Sequence, residues 1–158
     1  MSTQLYDVLD VVGRRFQEVF SQLFGGGTAQ IVLTDPDNIL TGGIDFYIQP
    51  PGKKRQQLTL LSGGERALTV IALLFSFLDY RPAPFCVLDE VDAALDEANV
   101  ERFSSYLNRV NKETQFIVVS HRKKTMEAAE VLQGVTMVER GVSRLLTVAF
   151  EDVKEDLA

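Results

Sequence analysis

Two short apolar runs, Phe85-Cys86-Val87-Leu88 and Phe116-Ile117-Val118-Val119, constrain this fold more than any other feature. Each has the length of a strand rather than a helix. Unbroken apolar character is the pattern of a strand covered on both faces in a parallel sheet. Between them, Val100, Phe103, Leu107 and Val110 mark one face of a helix over 97–110. Both runs end on polar pairs, Asp89-Glu90 and Ser120-His121. Ligand sites of open α/β sheets lie outside the carboxyl ends of the strands, so His121 can sit beside Asp89 at one sheet edge.

The rest of the chain supplies more elements of both kinds. Leu5, Leu9, Val12, Phe16, Val19 and Leu23 follow one another at alternating steps of four and three, a heptad seam over 4–24. Val8 and Phe20 widen the stripe, as in a helix docked on a globular body. The spacing alone fits a coiled-coil seam and an ordinary surface helix equally well. Gly25-Gly26-Gly27 ends that helix. Alternation at Ala29, Ile31 and Leu33, and again at Ile44, Phe46 and Ile48, predicts two strands, with turn residues between them and Pro50-Pro51-Gly52 after them. Residues 62–78 read as a helix apolar nearly all round, and therefore buried. Residues 124–132 read as a short helix, and 135–139 with 143–150 as a strand pair. The acidic end, 151–158, is expected to fray. This order predicts an α/β fold with a mixed sheet.

The 158 residues suit one domain with one sizeable core, and 46% hydrophobic content excludes a disordered chain. A net charge of −6 argues against a face coated in base, though not against a local basic patch. Lys53-Lys54-Arg55 is such a run on a loop, either simply solvated or touching a phosphate backbone. Cys86 is the only cysteine, so no internal disulfide forms, and its apolar setting makes it a core residue rather than a nucleophile. Residues 1–4 carry no secretory signal pattern. The longest apolar stretch, 67–78, is too short to span a bilayer.

Three motifs carry chemistry. Leu61-Ser62-Gly63-Gly64-Glu65 stands directly before a helix. Free backbone N–H groups and the helix dipole favour an anion there, and glycines let a phosphate approach closely. The same residues also read as a plain capping box, with Ser62 and Glu65 satisfying each other's backbone. Asp89 could hold a magnesium ion through water, and Glu90 could orient or deprotonate an attacking water. Adjacent acids can equally be helix caps or solubilising residues. His121, the single histidine, could donate a hydrogen bond to a phosphate or be structural. Arg122-Lys123-Lys124 reads as a solvated or docking face.

Their order is more specific than any one of them. L-S-G-G-E, an apolar strand ending D-E, a loop ending Leu95-Asp96 and a strand ending Ser120-His121 together resemble the ATP-binding-cassette ATPases. The resemblance makes these the signature motif, the Walker B motif, the D-loop and the switch histidine. No G-x-x-x-x-G-K-[ST] phosphate loop occurs in the sequence. Residues 88–96, L-D-E-V-D-A-A-L-D, together with Pro50-Pro51-Gly52-Lys53, Phe24-Gly25-Gly26-Gly27 and Gln115-Phe116-Ile117-Val118, look narrower still. They resemble the C-terminal half of the ATPase head of bacterial SMC (structural maintenance of chromosomes) proteins, over about residues 10–150. Transporter cassettes usually have a proline where Val91 stands.

The resemblance implies one lobe over 1–158, the C-terminal lobe of the head: a coiled-coil stem helix at 4–24, a β-arm and loop at 28–60, the motif-bearing part at 61–150 and a tail at 151–158. It implies ATP and Mg²⁺ as cofactors, both needing a separate Walker A half. Asp89 would serve the metal, and Glu90 and His121 would be catalytic. Leu61, Ser62, Gly63, Gly64, Glu65 and Asp96 would bind nucleotide across a dimer. It implies a second SMC head, a kleisin subunit and, through the assembled complex, DNA as partners, no membrane, and a cytoplasmic, nucleoid-associated place in chromosome condensation and segregation. The lobe alone is expected to be inactive. Two other readings stand beside this one: a lobe that mainly docks a kleisin, with Arg140 and Arg144 as contacts, and the head of a related DNA-repair ATPase.

Overall fold

Successive inward-facing residues of the first helix, α1 (Ser2–Phe24), set the position of everything after it. Val12, Phe16, Val19, Phe20 and Leu23 are buried, while Leu5 and Leu9 are only half-buried. The computed structural model describes residues 2–38, 41–110 and 114–149. Within them α1 packs on α2 (Gly63–Tyr80) and on β1 (Thr28–Leu33). The Tyr6 hydroxyl donates to the Pro36 carbonyl, in a 3-10 turn over Pro36–Asn38.

The predicted glycine stop holds, and its geometry is specific. Gly25, Gly26 and Gly27 all have positive φ. A Cβ at Gly27 would lie 2.3 Å from the Gln49 carbonyl oxygen. The Gln17 side chain fastens the same corner, donating to the Gly27 carbonyl (3.2 Å) and accepting from the Ala29 N–H (2.8 Å).

β1 pairs antiparallel with β2 (Ile44–Gln49), Ala29 facing Ile48 and Ile31 facing Phe46, and a two-residue β3 (Gln56–Gln57) extends this sheet. Phe46 meets Phe16 edge-on with ring centres 6.2 Å apart. β4 (Phe85–Asp89) and β5 (Gln115–Val119) pair parallel, joined by α3 (Glu97–Val110). Phe75 of α2 is the hub of the main core: it stacks on Tyr106 at 4.9 Å and meets Phe116 edge-on at 5.8 Å.

Four expectations need correction. The strands do not form one mixed sheet: among the described residues there are an antiparallel β1-β2-β3 sheet, a parallel β4-β5 pair and an antiparallel pair of β6 (Val131–Glu139) with β7 (Val142–Ala149). The two apolar strands are covered on one face only. Leu88 is buried, but Phe85 (57% exposed), Val87, Ile117 and Val119 face outward. α2 is likewise buried on one side, with Val70, Phe77 and Tyr80 exposed. Finally, the helix expected at 124–132 is α4 (Lys123–Glu127). The Ala128 and Ala129 N–H groups close it, and Val131 and Leu132 instead pair with Ala149 and Val148. Strand pairing over the whole hairpin outweighs one more turn of helix there. Phe150, expected to end the last strand, and the acidic tail lie outside the described residues. No described helix is long and apolar enough to cross a membrane.

Candidate functional site

The parallel pairing of β4 and β5 brings their carboxyl ends to one edge, Asp89 level with Val119. Asp89, Glu90 and His121 are all exposed there. Glu90 has φ +49°, the single non-glycine residue with positive φ among those described. Its N–H donates to the Val119 carbonyl (2.9 Å) and its carbonyl accepts from the Ala93 N–H (3.0 Å). A β-strand that ends on a residue in this conformation turns its chain sharply, and such strain gathers at functional positions. No group of three His, Cys, Asp or Glu side chains among the described residues could hold a metal alone. A single exposed carboxylate at Asp89 fits magnesium, which commonly takes one or two carboxylates together with phosphate and water.

The second locus is the amino terminus of α2. Ser62 is its cap, in a complete capping box. The Glu65 carboxylate accepts from the Ser62 hydroxyl (2.8 Å) and the Ser62 N–H (3.2 Å), and the Glu65 N–H donates to Ser62 Oγ (3.4 Å). Lys53 Nζ lies 2.8 Å from the other carboxylate oxygen. Burial alone would push the Glu65 carboxyl up, but the bonds from Lys53 and Ser62 outweigh it and hold it below its ordinary range. Gly63 has open space around it, whereas a Cβ on Gly64 would come within 3.2 Å of the Ala94 carbonyl oxygen. Leu61 is different: its side chain is buried in the core, so it anchors the motif rather than facing a ligand.

Asp96 joins this second locus. Its Oδ1 accepts from the Asn99 N–H at 2.8 Å, which caps α3. Lys53, Ser62, Gly64, Glu65, Asp96 and Arg102 line one cleft of about 530 Å³. The structure thus sorts the sequence-derived residues into two places. Asp89, Glu90 and His121 share the strand edge, while Ser62, Gly64, Glu65 and Asp96 share the cleft.

Sequence reasoning missed what joins the two. Asp92 is fully buried, and its Oδ2 accepts from Ser120 Oγ and Thr125 Oγ1, each at 2.5 Å. Arg122 belongs to no solvated face: its Nη2 donates to the carbonyls of Ala93 (3.2 Å) and Leu95 (3.1 Å). Lys123 and Lys124 do lie outward, each near Glu127. The basic run at 53–55 is also partly engaged, Lys53 by Glu65 and Arg55 by the face of Tyr47, 4.7 Å from its centre. Cys86 is half-buried, and burial pushes its thiol up, as expected of an inert side chain.

A capped helix start thus lines a cleft with the Asp96 loop, while Asp89, Glu90 and His121 follow the carboxyl ends of two paired parallel strands. The family model described as the RecF/RecN/SMC N terminal domain matches residues 26–144. The chromosome partition protein Smc of Bacillus subtilis is 58% identical over 155 residues, 98% of this chain and 13% of that protein. The chain therefore spans a small part of such relatives. One solved chain, from the structural biochemistry of ATP-driven dimerization and DNA stimulated activation of SMC ATPases, is 34% identical with a TM-score of 0.88, covering 99% of this chain and 95% of that one. The Smc head domain of Pyrococcus furiosus with an extended coiled coil, bound to the C-terminal domain of ScpA, is 35% identical with a TM-score of 0.89, covering 99% of this chain and 39% of that one. The chain belongs to the SMC family, and its fold is that of the SMC head domain.

Proposed function

We propose that this chain is the C-terminal half of an SMC ATPase head that works in chromosome partition. The gathering of Asp89, Glu90 and His121 at one strand edge, with Glu90 at φ +49°, is the observation that carries the reading. The absence of a G-x-x-x-x-G-K-[ST] phosphate loop from the sequence supports reading its motifs as those of the half that follows that loop. The exposed apolar face of β4 and β5 supports a partner half that carries it.

In this reading Asp89 helps hold Mg²⁺ on ATP seated on the Walker A half of the same head. The metal would supply charge neutralisation on the phosphate oxygens. Glu90 accepts a proton from, or orients, the attacking water, and His121 donates to the γ-phosphate. Ser62 and the N–H groups of Gly63 and Gly64 face the γ-phosphate of ATP held by a second head, with Asp96 at the same cleft. Two ATPs then hold two heads together until hydrolysis removes the bridging contacts, and DNA is acted on through the whole complex in the cytoplasm.

The test is steady-state ATP hydrolysis by this chain assembled with its Walker A half. Turnover should rise faster than linearly with protein concentration. Glu90→Gln should lower kcat by about 10³-fold while keeping ATP-dependent dimers. Ser62→Arg should abolish dimers and leave ATP binding unchanged. Turnover that survives Glu90→Gln would remove Glu90 from its role. Dimers that survive Ser62→Arg would remove the contact between heads.

A second reading is favoured by one observation. The β6-β7 hairpin is exposed on both faces, with Val135, Met137, Leu145 and Leu146 all open, and the Pyrococcus furiosus relative is bound to part of ScpA. Docking of a kleisin subunit on this lobe, near Arg140 and Arg144, is compatible with the ATPase role. Nucleotide-independent binding that Leu145→Glu abolishes would support it.

A further inference from the structure

The loop between β4 and α3 and the loop between β5 and α4 leave the same edge of the parallel pair. They could be independent; in this chain they are not. Asp92 crosses from the first loop to the second and to the helix after it, accepting from the hydroxyls of Ser120 in the loop and Thr125 in α4, 28 and 33 residues later. Arg122 crosses back, donating to the carbonyls of Ala93 and Leu95. Ser120 Oγ accepts in turn from the Arg122 N–H at 2.9 Å, so one hydroxyl serves both directions. Asp96 follows directly after these carbonyls, and His121 stands between Ser120 and Arg122.

Stability alone explains this lock poorly. Asp92 is 0% exposed, and its Oδ1 is buried without a hydrogen-bond partner among the described residues; so is Arg122 Nε. A buried carboxylate that leaves an oxygen unpaired is a weak way to hold two loops, and well-packed apolar side chains would do it with no unmet polar atom. What the polar lock gives is direction. Oδ2 fixes two hydroxyls, and the one nitrogen Nη2 of the planar guanidinium fixes two carbonyls.

We infer that Asp92 and Arg122 are positioning residues that bind the Asp96 loop to the His121 loop, so that both nucleotide-facing loops move as one body. The inference rests on the reading of these loops as parts of an ATP site. Asp96 faces the cleft shared with Ser62, and His121 lies at the edge with Asp89 and Glu90. A shift at either loop is then delivered to the other through Asp92 and Arg122. Asp92 and Arg122 reach no ligand themselves; their effect passes through Asp96 and His121.

The test uses the whole head, this chain together with its Walker A half, with Glu90→Gln as the reference for the reading beneath it. Asp92→Ala and Arg122→Ala should each lower kcat by about 10- to 100-fold, the scale of a misplaced catalytic group. KM for ATP should stay within about twofold, because binding that is equal in ground and transition states is untouched. ATP-dependent dimers in the Glu90→Gln background should persist. Asp92→Asn, whose carbonyl still accepts both hydroxyls, should recover most of the rate. Thr125→Val removes one donor at constant shape and should lower kcat several-fold while ATP-dependent dimers persist and the melting temperature falls by only a few degrees; it carries the test if Asp92→Ala does not fold. Unchanged kcat in Thr125→Val and Arg122→Ala would overturn the inference. So would loss of kcat only in step with a falling melting temperature and lost dimers. A wild-type head without turnover, or an active Glu90→Gln head, would instead refute the ATP-site reading itself.

Discussion

Lys53 and Glu65 meet at 2.8 Å beside Ser62, so the charge on one carboxylate decides whether the capping box is complete. The Glu65 carboxyl is held below its ordinary value of 4.5. A depressed value means that this pair and its cap contribute fully above 4.5 and are lost as pH falls through the lower folded value. Lys53 is half exposed, so the energy involved is under about 1 kcal/mol. Lys53→Met should therefore raise the titration midpoint of Glu65 toward 4.5, read from its carboxyl carbon by NMR, with little change in stability. A midpoint that stays put would mean that Ser62 alone holds the carboxylate. The sequence showed Ser62 and Glu65 as a box, because that pattern is local. It could not show Lys53 reaching Glu65, nor Asp92 reaching Ser120 and Thr125, because those contacts exist only once the loops are folded together.

At the scale of elements, the joint between α1 and β1 is held by three glycines at positive φ. Gly27 combines φ +85° with a backbone oxygen 2.3 Å from where a Cβ would stand. Gly27→Ala should destabilise the lobe by about 1 to 3 kcal/mol. Gly13, inside α1, has only open space within 4 Å of the place a Cβ would take, and no positive φ. Gly13→Ala should stabilise by about 0.5 to 1 kcal/mol. Urea unfolding of the two variants should thus move in opposite directions; a shared direction would contradict the geometry. Most elements were legible because one short-range pattern dominated each: the stripe of α1, the alternation of β1 and β2, the capped start of α2. The boundary between α4 and β6 was not. Val131 and Leu132 fit a helix face and a strand equally, and the choice between them is made by β7, ten and more residues further on.

For the whole molecule, the outward faces matter as much as the core. Phe85, Val87, Ile117 and Val119 are a row of apolar side chains on the open side of a two-stranded parallel sheet. Parallel sheets are ordinarily covered on both faces. That rule is why unbroken apolar runs read as strands buried on both sides, and why the reading was half right for this chain taken alone. Sequence reports what a strand is suited to meet, and not whether the chain itself provides it. If a Walker A half supplies the cover, Val87→Lys or Ile117→Lys should leave the lobe folded by circular dichroism yet prevent its co-purification with that half. Undiminished co-purification would move the contact elsewhere. The capped starts of α2 and α3 have a last consequence. Ser62 and Asp96 each cap the start of a helix and also line the cleft. A guest that takes up the Ser62 hydroxyl or the Asp96 capping oxygen loosens the first turn of the helix behind it, so the cleft feels what it holds through the winding of its walls.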